Sequence, residues 1–238
     1  MTLSRSHLDG LADWFRAVHY TLDPVLQRLG DSGNAGLVRN STLAAQDALG
    51  SDRDPQASLV RLFLLQRPVP RSDAADALGE LLEPLLAEEL LIDEGGTVRA
   101  AIEIRPYGEE AWSGWICHDL NPGLDRLPAP VRPDFVLGAS PASTTLAQLT
   151  IREPVGSALD LGTGCGVQSL HLARHASRVV ATDVNPRALM LARMTADLNG
   201  IEVDLREGSL YEPVAGERFD LIVSNPPYVM SPPNRQEL

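Results

Sequence analysis

The apolar positions at the start of the chain follow a helical rhythm. Leu8, Leu11, Phe15, Val18, Leu22, Val25 and Leu29 recur at alternating spacings of three and four, the stripe of an amphipathic helix. Asp23-Pro24 cuts into it as an N-cap followed by a first-turn proline, so two helices or one kinked helix are expected. Gly30 to Gly36 reads as a loop. Asp54-Pro55 opens a helix running through Leu65, which Arg67-Pro68-Val69-Pro70 stops. Ser72 is placed to cap a short helix through Leu78, and Glu80 to Leu91 reads as a third, with Pro84 in its first turns. The period then falls to two. After the turn Glu94-Gly95-Gly96, Val98, Ala100, Ile102 and Ile104 share one face, and Trp112 to Cys117 reads as a further strand. Three helices followed by a hairpin form a winged-helix-like pattern over residues 1–120.

Pro122, Pro128, Pro130 and Pro133 mark a linker over 121–138. Beyond it, over 139–238, strand, loop and helix alternate. Ala158 to Leu161 is a strand, Gly162 to Gly166 a loop and Val167 to His175 a helix. Val179 to Thr182 is a second strand and Pro186 to Asn199 a second helix, followed by strands at Val203 to Arg206 and Phe219 to Ser224. Repeating units of this kind predict an α/β fold with a doubly wound parallel sheet, covered by helices on both faces.

Composition narrows the function classes. The 238 residues are 44% hydrophobic, which excludes disorder. No apolar run approaches the roughly 18 residues needed to span a bilayer, so no membrane role is expected. Cys117 and Cys165 are too few and too far apart for a disulfide scaffold, which favours a reducing, cytoplasmic setting. The chain contains no Lys; its 20 Arg face 32 acids for a net charge of −12. Residues 1–138 hold 12 Arg against 21 acids, and 139–238 hold 8 against 11. Neither half offers the basic field that draws phosphate backbones, which disfavours nucleic acid as partner.

The first chemically informative stretch is Asp160-Leu161-Gly162-Thr163-Gly164-Cys165-Gly166. Glycines at alternate positions after a strand let the backbone turn tightly and approach a ligand. The spacing is GxGxG, and a carboxylate stands two residues before the first glycine. That carboxylate would repel a pyrophosphate seated on the loop. A cationic, phosphate-free ligand such as S-adenosyl-L-methionine fits better. Asp183, at the end of the second strand, can accept both ribose hydroxyls of such a ligand or serve as an N-cap. Ser209, after the third strand, can reach a base edge or be a plain loop residue.

The second stretch is Ser224-Asn225-Pro226-Pro227-Tyr228. Two prolines remove two backbone donors and stiffen the turn, leaving carbonyls directed outward. The Asn225 side-chain oxygen and the Pro226 carbonyl can then accept together from one planar NH2 group, with Tyr228 stacked on the group that carries it. Such a clamp suits a nitrogen with a delocalised lone pair, in an amide or an exocyclic base amine. Holding both hydrogens eases pyramidalisation of that nitrogen in the transition state.

The DLGTGCG loop, the strand-ending Asp183 and the NPPY at 225–228 resemble class I S-adenosylmethionine-dependent methyltransferases of the amino-methylating group. Within that group the sequence is most similar to the protein-(glutamine-N5) methyltransferases that modify peptide-chain release factors. The resemblance covers roughly 135–238. It implies a Rossmann-like sheet of seven strands in the order 3-2-1-4-5-7-6, of which only strands 1–4 fall within this chain. It implies S-adenosylmethionine as cofactor, with Asp160, Gly162, Thr163, Gly164 and Gly166 beside its methionine part, Asp183 at the ribose and Ser209 near the adenine. Asn225, Pro226, Pro227 and Tyr228 would hold the acceptor, a glutamine side chain of a release factor or ribosome-associated protein. Adenine and guanine amino methyltransferases of RNA or DNA share the clamp and are the first alternative. A catalytically silent cofactor-binding or scaffold module is the second.

The chain departs from the family in three places. Gly138 to Thr145 occupies the position of a PRPET-like segment, Ser209 stands where Asp is usual, and the N-terminal half is winged-helix-like rather than a small helical bundle. Residue 238 comes soon after Asn225, so the strand Leu221-Ile222-Val223 is expected to be an apolar edge in need of a cover. His171 and His175 share a helix face but lack a third ligand, so no metal site is expected. Cys165 has no neighbouring His and reads as packing, and Trp112 and Trp115 as an apolar strand pair. The third N-terminal helix carries four Glu and no Arg, which points to protein contact over DNA.

Overall fold

A computed structural model describes residues 4–109, 112–126 and 130–226. Helix α1 (Arg5–Ala17) starts at Ser4, whose hydroxyl accepts from the His7 amide, and it buries Leu8, Leu11, Ala12 and Phe15. Helix α2 (Leu22–Val38) kinks at Gly30, where φ is 62°. The expected loop over 30–36 is therefore helical. Its glycines serve contact instead, because Gly33 and Gly36 are buried where α2 meets α3 (Leu43–Leu49).

Helix α4 (Pro55–Leu59) is capped by the Asp54 carboxylate and continues as a π-helical stretch, Val60–Leu64. After β1 (Val69–Pro70) comes α5 (Arg71–Leu78), which Ser72 does not cap. Pro70 is the residue before its first turn, and the Ser72 hydroxyl donates to Asp73. The third helix is also shorter than expected: a 3-10 turn, Gly79–Leu81, leads into α6 (Leu82–Ala87). Glu89 takes a left-handed φ of 60°, which ends the helix and turns buried Leu90 and Leu91 into β2 (Leu91–Asp93).

Strand β3 (Thr97–Ala100) lies between β1 and β2 in an antiparallel sheet of order β1-β3-β2. The run from Val98 to Ile104 is buried as expected but serves two sheets. It bends at 101–102, and β4 (Glu103–Glu109) pairs with β5 (Trp112–His118) in a separate hairpin.

The rest is α/β. Helix α7 (Pro141–Leu149), which the sequence did not announce, starts at the N-cap Ser140. Then come β6 (Ala158–Leu161), α8 (Val167–Leu172), β7 (Val179–Asp183), α9 (Pro186–Leu198), β8 (Asp204–Glu207) and β9 (Leu221–Ser224). The four strands are parallel in the order β8-β7-β6-β9, matching the expected 3-2-1-4. β8 and β9 are the two edge strands of this sheet among the described residues, and Ile222 on β9 is exposed. No helix among the described residues is long and apolar enough to cross a membrane.

Helix α9 joins the two parts. One face covers the parallel sheet while the other receives the β4–β5 hairpin and α1, so Phe15, Tyr20 and Trp115 share a core with Leu191, Met194 and Leu198. Tyr20 donates to the Ile104 carbonyl at 2.7 Å, and the Trp115 indole donates to the Tyr20 carbonyl at 2.8 Å. Asn199, just past α9, extends the hairpin like another strand. Its Oδ1 accepts from the Trp115 amide at 3.0 Å, and its Nδ2 donates to the Trp115 carbonyl at 2.7 Å. Gly114 makes room for it, since a Cβ there would sit 1.9 Å from Asn199 Oδ1.

Gly114→Ala should therefore expel the Asn199 amide and cost about 2 kcal/mol. Asn199→Ala should cost a similar amount, and the double variant no more than either alone. Urea unfolding measures all three, and additive losses would contradict the shared contact.

Candidate active site

The carboxyl ends of the four parallel strands open on one cleft of about 580 Å³, the usual ligand position in such sheets. Each strand sends its next residues there: Gly162 to Cys165 after β6, Val184 and Asn185 after β7, Gly208 to Leu210 after β8, and Asn225 and Pro226 after β9. The glycine loop and the start of the acceptor turn are brought together by register. Leu161 and Ser224 are partners on adjacent strands, and the Ser224 hydroxyl donates to the Leu161 carbonyl at 2.8 Å.

The loop holds its shape through its own hydrogen bonds. The Gly162 and Thr163 amides both donate to the Thr182 carbonyl at 2.9 Å. Gly162, Gly164 and Gly166 have φ of 73°, 56° and 81°, values that side chains rarely tolerate. The Gly164 amide donates to Asp183 Oδ2 and the Asn185 amide to Asp183 Oδ1, both at 2.9 Å. Asp183 thus stands half-buried at the cleft, fixed between the loop and the start of α9.

Asp160 takes a place that the sequence alone does not show. It is buried beneath the loop and does not line the cleft. Its Oδ2 accepts from the Thr163 hydroxyl at 2.7 Å, the Ser169 hydroxyl at 2.7 Å and the Ser169 amide at 3.0 Å. Its partners make it an organiser of the turn and of the first turn of α8. Gly166 is also not among the residues that line the cleft; an added Cβ would meet Ala192 Cα at 3.1 Å, so the missing side chain lets the start of α8 approach α9 closely. Thr163, Gly162, Gly164, Ser209, Asn225 and Pro226 do line the cleft, whereas Pro227 and Tyr228 lie outside the described residues.

Two parts of the wall were not legible in the sequence. The Pro-rich segment expected as a spacer lies across the cleft through Phe135 to Gly138. Asp119 at the end of β5 holds it there. Its carboxylate accepts from the Val136 amide at 2.8 Å and pairs with the Arg187 guanidinium of α9. The other part is the first turn of α7, with Ser140, Ala142 and Ser143. Here Ser143 Oγ accepts from Asn225 Nδ2 at 3.1 Å, and the buried Gln168 side chain of α8 donates to the Ser143 carbonyl at 2.7 Å.

The lining has one charged side chain among the described residues, Asp183, and no Arg. Leu137, Val184 and Leu210 line it while remaining 64–68% exposed, an arrangement suited to a flat apolar ring. A cavity of this size with a lone carboxylate suits a cationic ligand without phosphates. Cys165 is buried, and burial pushes its thiol up to about 12, which disfavours the thiolate. His171 Nε2 lies 2.9 Å from the Tyr107 hydroxyl. Trp115 is core, and Trp112 packs edge-on against Tyr107 and His171.

The fold and cleft support a class I S-adenosylmethionine-dependent methyltransferase, and residues 139–236 match the family described as "Methyltransferase small domain". Residues 17–101 match a "Domain of unknown function (DUF7059)". A release factor glutamine methyltransferase of Geobacter sulfurreducens is 38% identical over 110 residues, which are 45% of this chain and 38% of that protein. A ribosomal RNA small subunit methyltransferase C of Serratia proteamaculans is 34% identical over 122 residues, 50% of this chain and 33% of its own length. The chain therefore spans well under half the length of these relatives. The crystal structure of a Thermus thermophilus 16S rRNA N2 G1207 methyltransferase aligns at 20% identity with a TM-score of 0.43, covering 70% of this chain and 47% of that one.

Burial raises the Asp160 pKa against the bonds from Thr163 and Ser169. An acid whose native pKa exceeds its unfolded value destabilises the fold increasingly as pH rises from the second value to the first. Asp160→Asn should therefore gain stability relative to the parent chain across that window, with a constant difference on either side. Urea midpoints from about pH 4 to about pH 8 test this; a difference independent of pH would contradict it.

Proposed function

We propose that the protein binds S-adenosylmethionine and transfers its methyl group to a planar nitrogen, a glutamine side chain of a peptide-chain release factor. The observation that carries this reading is the meeting of two turns at one cleft: the glycine loop with Asp183 on one side, Asn225 and Pro226 on the other. When bound, S-adenosylmethionine supplies an electrophilic methyl group on a cationic sulfur. Asp183 accepts from the ribose hydroxyls; Leu137, Val184 and Leu210 cover the adenine, with Ser209 at its edge. Asn225 Oδ1 and the Pro226 carbonyl accept the two hydrogens of the acceptor NH2, turn its lone pair toward the methyl and exclude competing water. Pro227 and Tyr228, which complete the Asn-Pro-Pro-Tyr motif in the sequence, lie outside the described residues. Held there by Asn225 and Pro226, the acceptor nitrogen would take the methyl that the cofactor would supply, leaving the sulfur as a neutral thioether, and would release one proton to solvent.

The acidic charge of −12 supports a protein acceptor over a polynucleotide, as do the release factor glutamine methyltransferases among the relatives. The ribosomal RNA methyltransferase relative favours the second reading, an exocyclic amine of RNA. The helix–β1–α5–α6–β2–β3 order supports a winged-helix-like part within 1–120, joined by the 121–138 segment to the methyltransferase part at 139–238. We assign the acidic N-terminal part to contact with the protein substrate. Two buried, unpaired thiols support a cytoplasmic setting.

Calorimetry with S-adenosylmethionine and transfer of radiolabelled methyl test the reading. Label should enter purified bacterial release factor and be absent from ribosomal RNA. Asp183→Ala should weaken cofactor binding more than tenfold. Asn225→Ala should keep cofactor affinity within about twofold and cut transfer about a hundredfold. Absence of binding heat would overturn cofactor use, and label in RNA alone would overturn the protein acceptor.

A further inference from the structure

We propose that Ser143 is a positioning residue that decides which end of the Asn225 amide faces the acceptor. The proposal rests on the acceptor reading above and names a part of the clamp that lies outside the Asn-Pro-Pro-Tyr turn itself. An amide side chain has two ends of nearly equal size and opposite hydrogen-bonding sense. With its oxygen toward the cleft, Asn225 accepts from an incoming NH2; turned over, it meets that NH2 with another donor. Among the described residues of the turn, Asn225 and Pro226, no hydrogen bond chooses between the two.

The choice is made from α7. Asn225 Nδ2 donates to Ser143 Oγ at 3.1 Å, and both residues line the cleft. Ser143 is 6% exposed and held on three sides. Its amide donates to the N-cap Ser140 Oγ at 3.2 Å, and its hydroxyl lies 3.1 Å from that same oxygen. Its carbonyl accepts from Gln168 at 2.7 Å, and Gln168 is itself buried on α8. With the Ser143 proton directed at Ser140, the Ser143 lone pairs face Asn225 and take its NH2 end. Asn225 Oδ1 makes no other bond among the described residues and is left for the acceptor. The segment from Gly138 to Thr145 thereby does chemical positioning, because it sets the polarity of a clamp that lies on a different strand.

The test is a double-mutant cycle on the full-length protein with S-adenosylmethionine and purified release factor. Ser143→Ala should lower kcat about tenfold, with cofactor affinity and thermal midpoint close to those of the parent. Ser143→Thr, which keeps the hydroxyl, should restore kcat to within about threefold. In an Asn225→Ala background, Ser143→Ala should cause no further loss, because its role acts through that amide. A kcat unchanged by Ser143→Ala, or losses that multiply in the double variant, would overturn the proposal. Should Ser143→Ala lose cofactor binding through misfolding, Ser143→Cys, of similar volume and poor as an acceptor, supplies the same cycle. A parent protein that binds cofactor yet labels no release factor overturns the acceptor reading, and the proposal with it.

Discussion

Everything at the cleft depends on two strands lying side by side in one register. β6 and β9 are far apart along the chain, yet Leu161 and Ser224 are partners and a hydroxyl–carbonyl bond locks their ends. Slipping that pairing by one residue would turn Ser224 to the other face of the sheet and carry Asn225 away from the glycine loop. The loop and the clamp are therefore not two sites that happen to be close. They are neighbours at the same end of a single ladder.

Support for the cleft comes in layers. Asp160 sits beneath the loop and gathers Thr163 and Ser169, so the strand-to-helix turn is built on a buried acid. Asp119 gathers the other wall by holding the 132–138 segment to Arg187. Each is a carboxylate removed from water and satisfied by several donors, the condition under which buried charge is tolerable. The N-terminal part contributes directly, since Asp119 lies at the end of its hairpin.

The alternating units of the C-terminal part were plain in the sequence because β6, β7 and β9 are short, mostly apolar runs and the loops between units carry Gly, Asp or Asn. Strand order followed from the same pattern with the family resemblance, and the glycine loop, Asp183, Ser209 and Asn225 were all legible as cleft residues. The place of Asp160 beneath the loop was not legible because sequence gives adjacency but not the side of the turn. Its partner Ser169 comes a helical turn into α8. The 135–138 segment read as spacer because prolines announce where a helix cannot run and say nothing of what the chain lies against. Gly30–Gly36 failed for a related reason: glycine signals both a turn and a close helix crossing, and only the position of α3 separates them.

The Asn199 amide inserted alongside β5 has an evolutionary consequence. Gly114 and Asn199 occupy one volume, so neither position can drift on its own without a penalty. A lineage that replaces the asparagine by a smaller residue frees its partner to accept a side chain, and the two should then covary. Such a linked pair, one member in each half of the polypeptide, would record whether the halves have travelled together through their history or were joined late.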